Sequence, residues 1–169
     1  MGHINKAVFL DRDGVILNDT GHYYVYKVED VVINEGIIDC LKEFRKNGFL
    51  LIMITNQGGI SKGVYTKKDV EKVHNKIKEI FGKEGIEFNE IYYCPHHPEK
   101  EKCICRKPDT QLIEKAIYRF DIDPGKSFFI GDTEKDIKAA EKAGLIPVRI
   151  KANENPTKYC TEILKKRTE

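Results

Sequence analysis

No apolar run in these 169 residues approaches the roughly 20 needed to cross a bilayer. No apolar secretory stretch follows Met1 either. Both absences point away from a membrane, and a cytoplasmic protein is expected. The chain also lacks an excess of charge of either sign. It has 29 Lys and Arg against 27 Asp and Glu, a net charge of +2. So even a balance gives no push toward nucleic acid or anionic lipid, and neither partner is expected. The basic stretch Lys165, Lys166 and Arg167 reads as a solvated helix end. There is no internal repeat and no low-complexity linker, and the length suits one domain over 1–169.

What the chain does contain is a regular alternation of short apolar runs and helical periodicities. Residues 7–10, 49–54, 88–93, 127–130 and 146–150 read as strands. Residues 37–47 carry apolar positions Ile37, Ile38, Leu41 and Phe44 at helical spacing, with Gly48 just beyond. A long helix begins at Thr66, with Asp69 as its capping-box partner. Asp109 is placed to cap a helix through Phe120, and Thr133 to cap one through Ala143. A last helix is expected over 157–167. Alternating strands and helices imply an α/β fold, a doubly wound, mostly parallel, Rossmann-like sheet. Residues 18–27 read as a Tyr-rich loop at the same sheet edge as Asp11.

Polar residues collect where these strands end. Asp11 and Asp13 follow the first strand, Thr55, Asn56 and Gln57 the second, and Asp132 the fourth. In open α/β sheets ligands bind outside the carboxyl ends of the strands. Clustered carboxylates raise one another's pKa unless a cation neutralises them, and Mg²⁺ prefers such oxygen ligands. A hydroxyl and a lysine suit a phosphoryl group, and an aspartate can attack phosphorus. Arg106 and Lys107, ahead of a helix, complete the set.

Asp11-Arg12-Asp13-Gly14, Thr55-Asn56-Gln57, Lys107-Pro108 and Gly131-Asp132-Thr133-Glu134-Lys135-Asp136 resemble, in order, the four motifs of the haloacid dehalogenase superfamily of phosphatases. The resemblance implies that Asp11 is the nucleophile and that Asp13 is the general acid and then the general base. Asp11, Asp13 through its backbone carbonyl, and Asp132 would hold Mg²⁺. Thr55 and Lys107 would bind the phosphoryl oxygens. Asp136 would orient its neighbours. Asp19, Asn56, Gln57 and Arg106 are the further substrate-binding candidates. The short span between Asp13 and Thr55 leaves no room for a large cap domain.

Cys94-Pro95-His96 and Cys103-Ile104-Cys105 bring three thiols and an imidazole into one loop over about 94–107. That set matches a closed, tetrahedral, structural Zn²⁺ site, with His97 as a rival ligand to His96. The spacing resembles a zinc-loop branch of the same superfamily. The odd cysteine count and this crowding favour metal over disulfides, and Cys40 and Cys160, on expected helices away from the loop, read as small buried hydrophobes. The expected activity is hydrolysis of a small phosphorylated metabolite by a monomer. The resemblance to that branch implies a sugar bisphosphate of the heptose type first and histidinol phosphate second. The competing class is a receiver-like domain that accepts phosphate without turnover.

Overall fold

Ala7, Val8, Phe9 and Leu10 are wholly buried, and they form most of the central strand of the molecule. The computed structural model describes residues 4–166. Five strands, β1 (Lys6–Leu10), β2 (Phe49–Asn56), β3 (Glu90–Cys94), β4 (Phe128–Gly131) and β5 (Ile146–Arg149), form one sheet in the order β3-β2-β1-β4-β5. Every pairing is parallel. The helices are α1 (Ile37–Lys46), α2 (Lys67–Lys83), α3 (Gln111–Arg119), α4 (Glu134–Lys142) and α5 (Thr157–Lys165).

Strand side chains alternate between faces, so each strand feeds two cores. Val8 and Leu10 join Leu41, Phe44, Val73, Ile77, Phe81 and Ile163, from α1, α2 and α5. Ala7 and Phe9 join Ile113, Ala116, Ala139 and Ala140, from α3 and α4. A sheet covered on both faces reads as apolar runs rather than alternation, which is why β1 and β2 were visible in the sequence. The doubly wound expectation holds. The chain order reverses beside β1, so the carboxyl ends of β1 and β4 flank the crevice where such sheets take ligands.

Local signals account for most element ends. Thr66 and Asp69 form the expected capping box on α2, and Thr133 and Asp136 form another on α4. Gly48, at φ 79°, follows α1. Two expectations need correction. Asp109 does not cap α3; its amide closes a turn by donating to the Arg106 carbonyl (2.8 Å), and the cap position passes to Thr110. Cys40 and Cys160 are buried as expected, but they are not separate hydrophobes. They form a disulfide joining α1 to α5, with Cα atoms 5.8 Å apart. Arg167 lies outside the described residues.

Leu41, on α1, is fully buried in the core that packs against the sheet. Leu41→Ala should cost about 2–5 kcal/mol in urea unfolding and leave ligand binding at the strand tips intact.

Candidate active site

The carboxyl ends of β1, β2 and β4 open into a cleft of about 230 Å³ lined by Asp11, Asp13, Asp19, Thr55, Asn56, Arg106, Lys107, Asp132, Lys135 and Asp136. The sheet thus brings together residues up to 125 positions apart in sequence. Two glycines allow the close approach. Gly14 has φ +83°, and a Cβ there would sit 2.5 Å from Asp132 Oδ2. A Cβ on Gly131 would lie 2.2 Å from the Asp136 Cβ.

Lys107 is the centre of the charge arrangement. Its side chain is buried, and Nζ donates to Asp11 Oδ1 (3.0 Å), Asp136 Oδ1 (2.6 Å) and the Ile54 carbonyl (2.8 Å). Burial opposes its charge, but Asp11 and Asp136 outweigh that and hold it well above the ordinary lysine range. Asn56 clamps the same residue from behind. Its side chain accepts from Lys107 N (3.0 Å) and donates to Lys107 O (3.1 Å). Asp136 reaches Lys107 with one oxygen while its other oxygen accepts from Thr133 N and Oγ1.

Asp11, Asp132 and Asp136 bring carboxylate oxygens within 4.8 Å of one another. One buried lysine against three carboxylates leaves two negative charges unbalanced. Burial, then the repulsion of Asp136, raises Asp11 well above its usual range. The same causes push Asp132 up to about 6. Asp132 Oδ1 is buried without a hydrogen-bond partner. A group of hard oxygens short of positive charge, with one acceptor unsatisfied, fits a divalent cation such as Mg²⁺.

Asp13 is held apart from that group. Its carboxylate accepts two bonds from Arg12, Nε to Oδ1 (3.0 Å) and Nη2 to Oδ2 (3.1 Å), and one from Gln57 Nε2 (3.1 Å). Arg12 is fully buried and also donates to the Val25 carbonyl (2.7 Å). Its Nη1 lies 3.3 Å from His74 Nε2. Burial, with Arg12 and Lys78, drops His74 to about 3, so the ring is neutral and accepts from Arg12. Gln57, read from sequence as a substrate contact, turns inward. Both ends of its amide are held within the protein, because Tyr65 donates to its oxygen (2.7 Å) and its nitrogen donates to Asp13 and Thr55. Sequence reasoning missed Arg12, His74 and Tyr65. His74 did carry a signal, since it lies at helical spacing from Val70, Ile77 and Phe81 on the buried face of α2.

Beside the cleft, Cys94, His96, Cys103 and Cys105 gather their ligand atoms within 4.8 Å. Cys94 Sγ is 3.0 Å from Cys105 Sγ and 3.7 Å from Cys103 Sγ; His96 Nδ1 is 3.2 Å from Cys105 Sγ. Ligands at Zn–S distances stand about 3.7 Å apart around a tetrahedral ion, so these four could close on one. Burial and then Cys105 hold the Cys94 thiol far above its ordinary range, so a soft metal would displace its proton. His97 is not in the set; it lies against Gly58 and near Glu99. Arg106 Nη1 donates to the His96 carbonyl (3.0 Å), which ties the cysteine loop to the cleft.

The polynucleotide kinase 3 phosphatase family matches residues 7–155 of the chain. The D-glycero-beta-D-manno-heptose-1,7-bisphosphate 7-phosphatase of Helicobacter pylori is 45% identical over 140 residues, covering 82% of this chain and 79% of that protein. The chain belongs to the haloacid dehalogenase superfamily of phosphatases. The corresponding heptose-bisphosphate 7-phosphatase of Haemophilus ducreyi is 38% identical, over 83% of this chain and 79% of its own length. Among solved structures, the D,D-heptose 1,7-bisphosphate phosphatase of B. bronchiseptica, complexed with magnesium and phosphate, superposes with a TM-score of 0.81 at 26% identity. It covers 93% of this chain and 86% of that one. The fold expected from the superfamily's motifs is therefore the fold present, and the chain is a phosphoric monoester hydrolase.

The raised carboxyls have a stability consequence. A carboxyl whose folded value exceeds its unfolded one favours the fold when protonated. For Asp132 that contribution is full below its ordinary 3.8 and is lost as pH rises through about 6. A bound cation has the opposite dependence, because it must expel the proton. Mg²⁺ should leave the Tm nearly unchanged at about pH 5 and raise it by several degrees at about pH 7.5. Asp132→Asn should raise the metal-free Tm at neutral pH and abolish the Mg²⁺ increment in the same thermal-shift series.

Proposed function

We propose that this phosphatase is Mg²⁺-dependent, carries a structural Zn²⁺, and removes one phosphate from a sugar bisphosphate. The substrate is D-glycero-D-manno-heptose 1,7-bisphosphate, and its 7-phosphate is hydrolysed. The observation that carries the substrate class is the groove continuous with the cleft. It measures about 460 Å³ and shares Arg106, Lys107 and Lys135 with the cleft, adding Pro98, Lys102, Cys103 and the carboxylates Glu101 and Asp109. Lys107 is committed to Asp11 and Asp136, so Lys102, Arg106 and Lys135 remain against Glu101 and Asp109, a lining still positive by one charge for a second anion. A substrate with phosphate at both ends suits that lining. Histidinol phosphate would bring an ammonium group and an imidazole to the same lysines and arginine. The relatives' names and the Mg²⁺ in the B. bronchiseptica structure support the same choice.

In this reading the Asp11 carboxylate attacks phosphorus. The bond from phosphorus to the sugar oxygen breaks, and protonated Asp13 gives its proton to that oxygen. Asp13 then takes a proton from the water that attacks the aspartyl-phosphate, the Asp11–phosphorus bond breaks, and phosphate leaves. Lys107 and the Thr55 hydroxyl offset charge on the transferring oxygens. Asp11, Asp132 and the Asp13 carbonyl would hold Mg²⁺, which when bound would neutralise charge on the incoming phosphate. Asp136 holds Lys107, and Asn56 fixes its backbone. Asp19, whose amide donates to Asn153 Oδ1 (3.0 Å), faces the cleft from the Tyr-rich loop. Zn²⁺ on Cys94, His96, Cys103 and Cys105 stiffens a charged segment that buries little of its own, and so steadies Arg106. Among the described residues no helix is long and apolar enough to cross a membrane. A cytoplasmic monomer completes the proposal.

Purified protein should hold about one Zn²⁺ per chain that survives brief EDTA treatment. The same treatment should abolish turnover, with Mg²⁺ restoring it, because carboxylate and thiolate sites differ in softness. The kcat/KM for the heptose bisphosphate should exceed that for histidinol phosphate by more than about tenfold. Equal or reversed values would reject the substrate assignment. Asp13→Asn should lower kcat by about 10²–10⁴-fold, whereas an unaltered chain that becomes phosphorylated and never turns over would identify a receiver instead.

A further inference from the structure

Asp13 must change protonation state twice per cycle in the reading above, and this inference rests on that reading. Its carboxylate plane therefore has to be fixed while its charge varies. Arg12 holds one side with a two-toothed contact. The other side is held by Gln57 Nε2, at 3.1 Å from Oδ2. A glutamine amide has an oxygen and a nitrogen of nearly the same shape, so it can rotate to present either end. Presenting its oxygen would put a lone pair against the Asp13 carboxylate. Something has to select the rotamer.

We infer that Tyr65 selects it, and that Tyr65 is a positioning residue for the general acid. Its hydroxyl lies 2.7 Å from Gln57 Oε1 and donates to it. The Gln57 nitrogen is thereby turned toward Thr55 Oγ1 (2.9 Å) and Asp13. Burial raises Tyr65 far above its ordinary range, so the hydroxyl stays a donor at any working pH. Tyr65 is 4% exposed and Gln57 2%, so water does not substitute for either bond.

The same ring carries a second link. Tyr26 stacks on Tyr65 at 5.2 Å between centroids, and Tyr24 meets it edge-on at 5.3 Å. Both belong to the 18–27 loop that brings Asp19 to the cleft. Gly59 leaves room for the ring, since a Cβ there would sit 2.1 Å from Tyr65 Cε1. The loop facing the substrate and the carboxyl that protonates its leaving group therefore share one aromatic contact. A shift of the loop moves Tyr65, and Tyr65 sets the amide that orients Asp13.

The test is a leaving-group comparison on the full Mg²⁺-loaded chain. An alkyl phosphate needs its departing oxygen protonated, whereas p-nitrophenyl phosphate releases a stable phenolate and needs little help. The kcat/KM for each reports the first chemical step. Tyr65→Phe removes only the hydroxyl and should lower the alkyl-to-aryl ratio of kcat/KM about tenfold. Gln57→Leu should produce the same drop, and the double variant no further drop. Tyr26→Leu, at a half-buried ring, should give a smaller fall of the same kind and covers the case in which Tyr65→Phe fails to fold. A wild-type ratio in the folded Tyr65 and Gln57 variants, or an equal loss on both substrates, overturns the inference. Asp13→Asn is the reference: if it too leaves the ratio unchanged, the role given to Asp13 has failed, and the fault lies in that reading rather than in Tyr65.

Discussion

The constraint on which this molecule turns is the burial of one ammonium group among carboxylates. Taking Lys107 out of water is costly, and only close partners with good geometry repay it. Asp11 and Asp136 provide that geometry, and the Ile54 carbonyl satisfies a third donor. Each partner is anchored in turn. Asp136 caps its own helix, and Asn56 grips the peptide of Lys107 on both sides. The result is a site whose positive charge is fixed before any ligand arrives, with a deficit of two charges remaining at Asp11 and Asp132. That deficit is the physical reason the cleft attracts a divalent ion.

Asp11 and Asp13 are two residues apart and chemically unlike because of what surrounds them. Asp11 shares its environment with two carboxylates and a lysine. Asp13 shares its own with a guanidinium and an amide, behind which stand a neutral His74 and Tyr65. Separating two carboxyls by environment is how one site runs nucleophilic and acid–base chemistry together. Gly14 permits it, since the left-handed turn after Asp13 folds the backbone against Asp132 with no side chain in the way.

Much of this was legible in the residue order, for physical reasons that differ from residue to residue. The strands of a sheet covered on both faces are apolar throughout, so β1, β2 and β4 stood out, and with them the aspartates at their tips. The capping boxes Thr66–Asp69 and Thr133–Asp136 are purely local and were visible for that reason. The four metal-type ligands of the cysteine loop lie within twelve residues and needed no fold to be seen together. Long-range placement was not legible. Cys40 and Cys160 are 120 residues apart, and only the packing of α1 on α5 makes them a pair. Arg12 went unread because nothing in its neighbours reveals a buried partner set. Gln57 sat in a substrate-binding motif, yet its amide is occupied by Tyr65, Thr55 and Asp13. The turn at Arg106 displaced the expected cap from Asp109 to Thr110.

The covalent bond between α1 and α5 closes a ring of chain from Cys40 to Cys160. Asp11 and Asp13 lie outside that ring in sequence, whereas Thr55, Lys107 and Asp132 lie within it. A threading machine that pulled from the carboxyl end could draw the chain freely only as far as Cys160. Beyond that point it would have to pass two strands of polypeptide at once, until a reductant opened the loop.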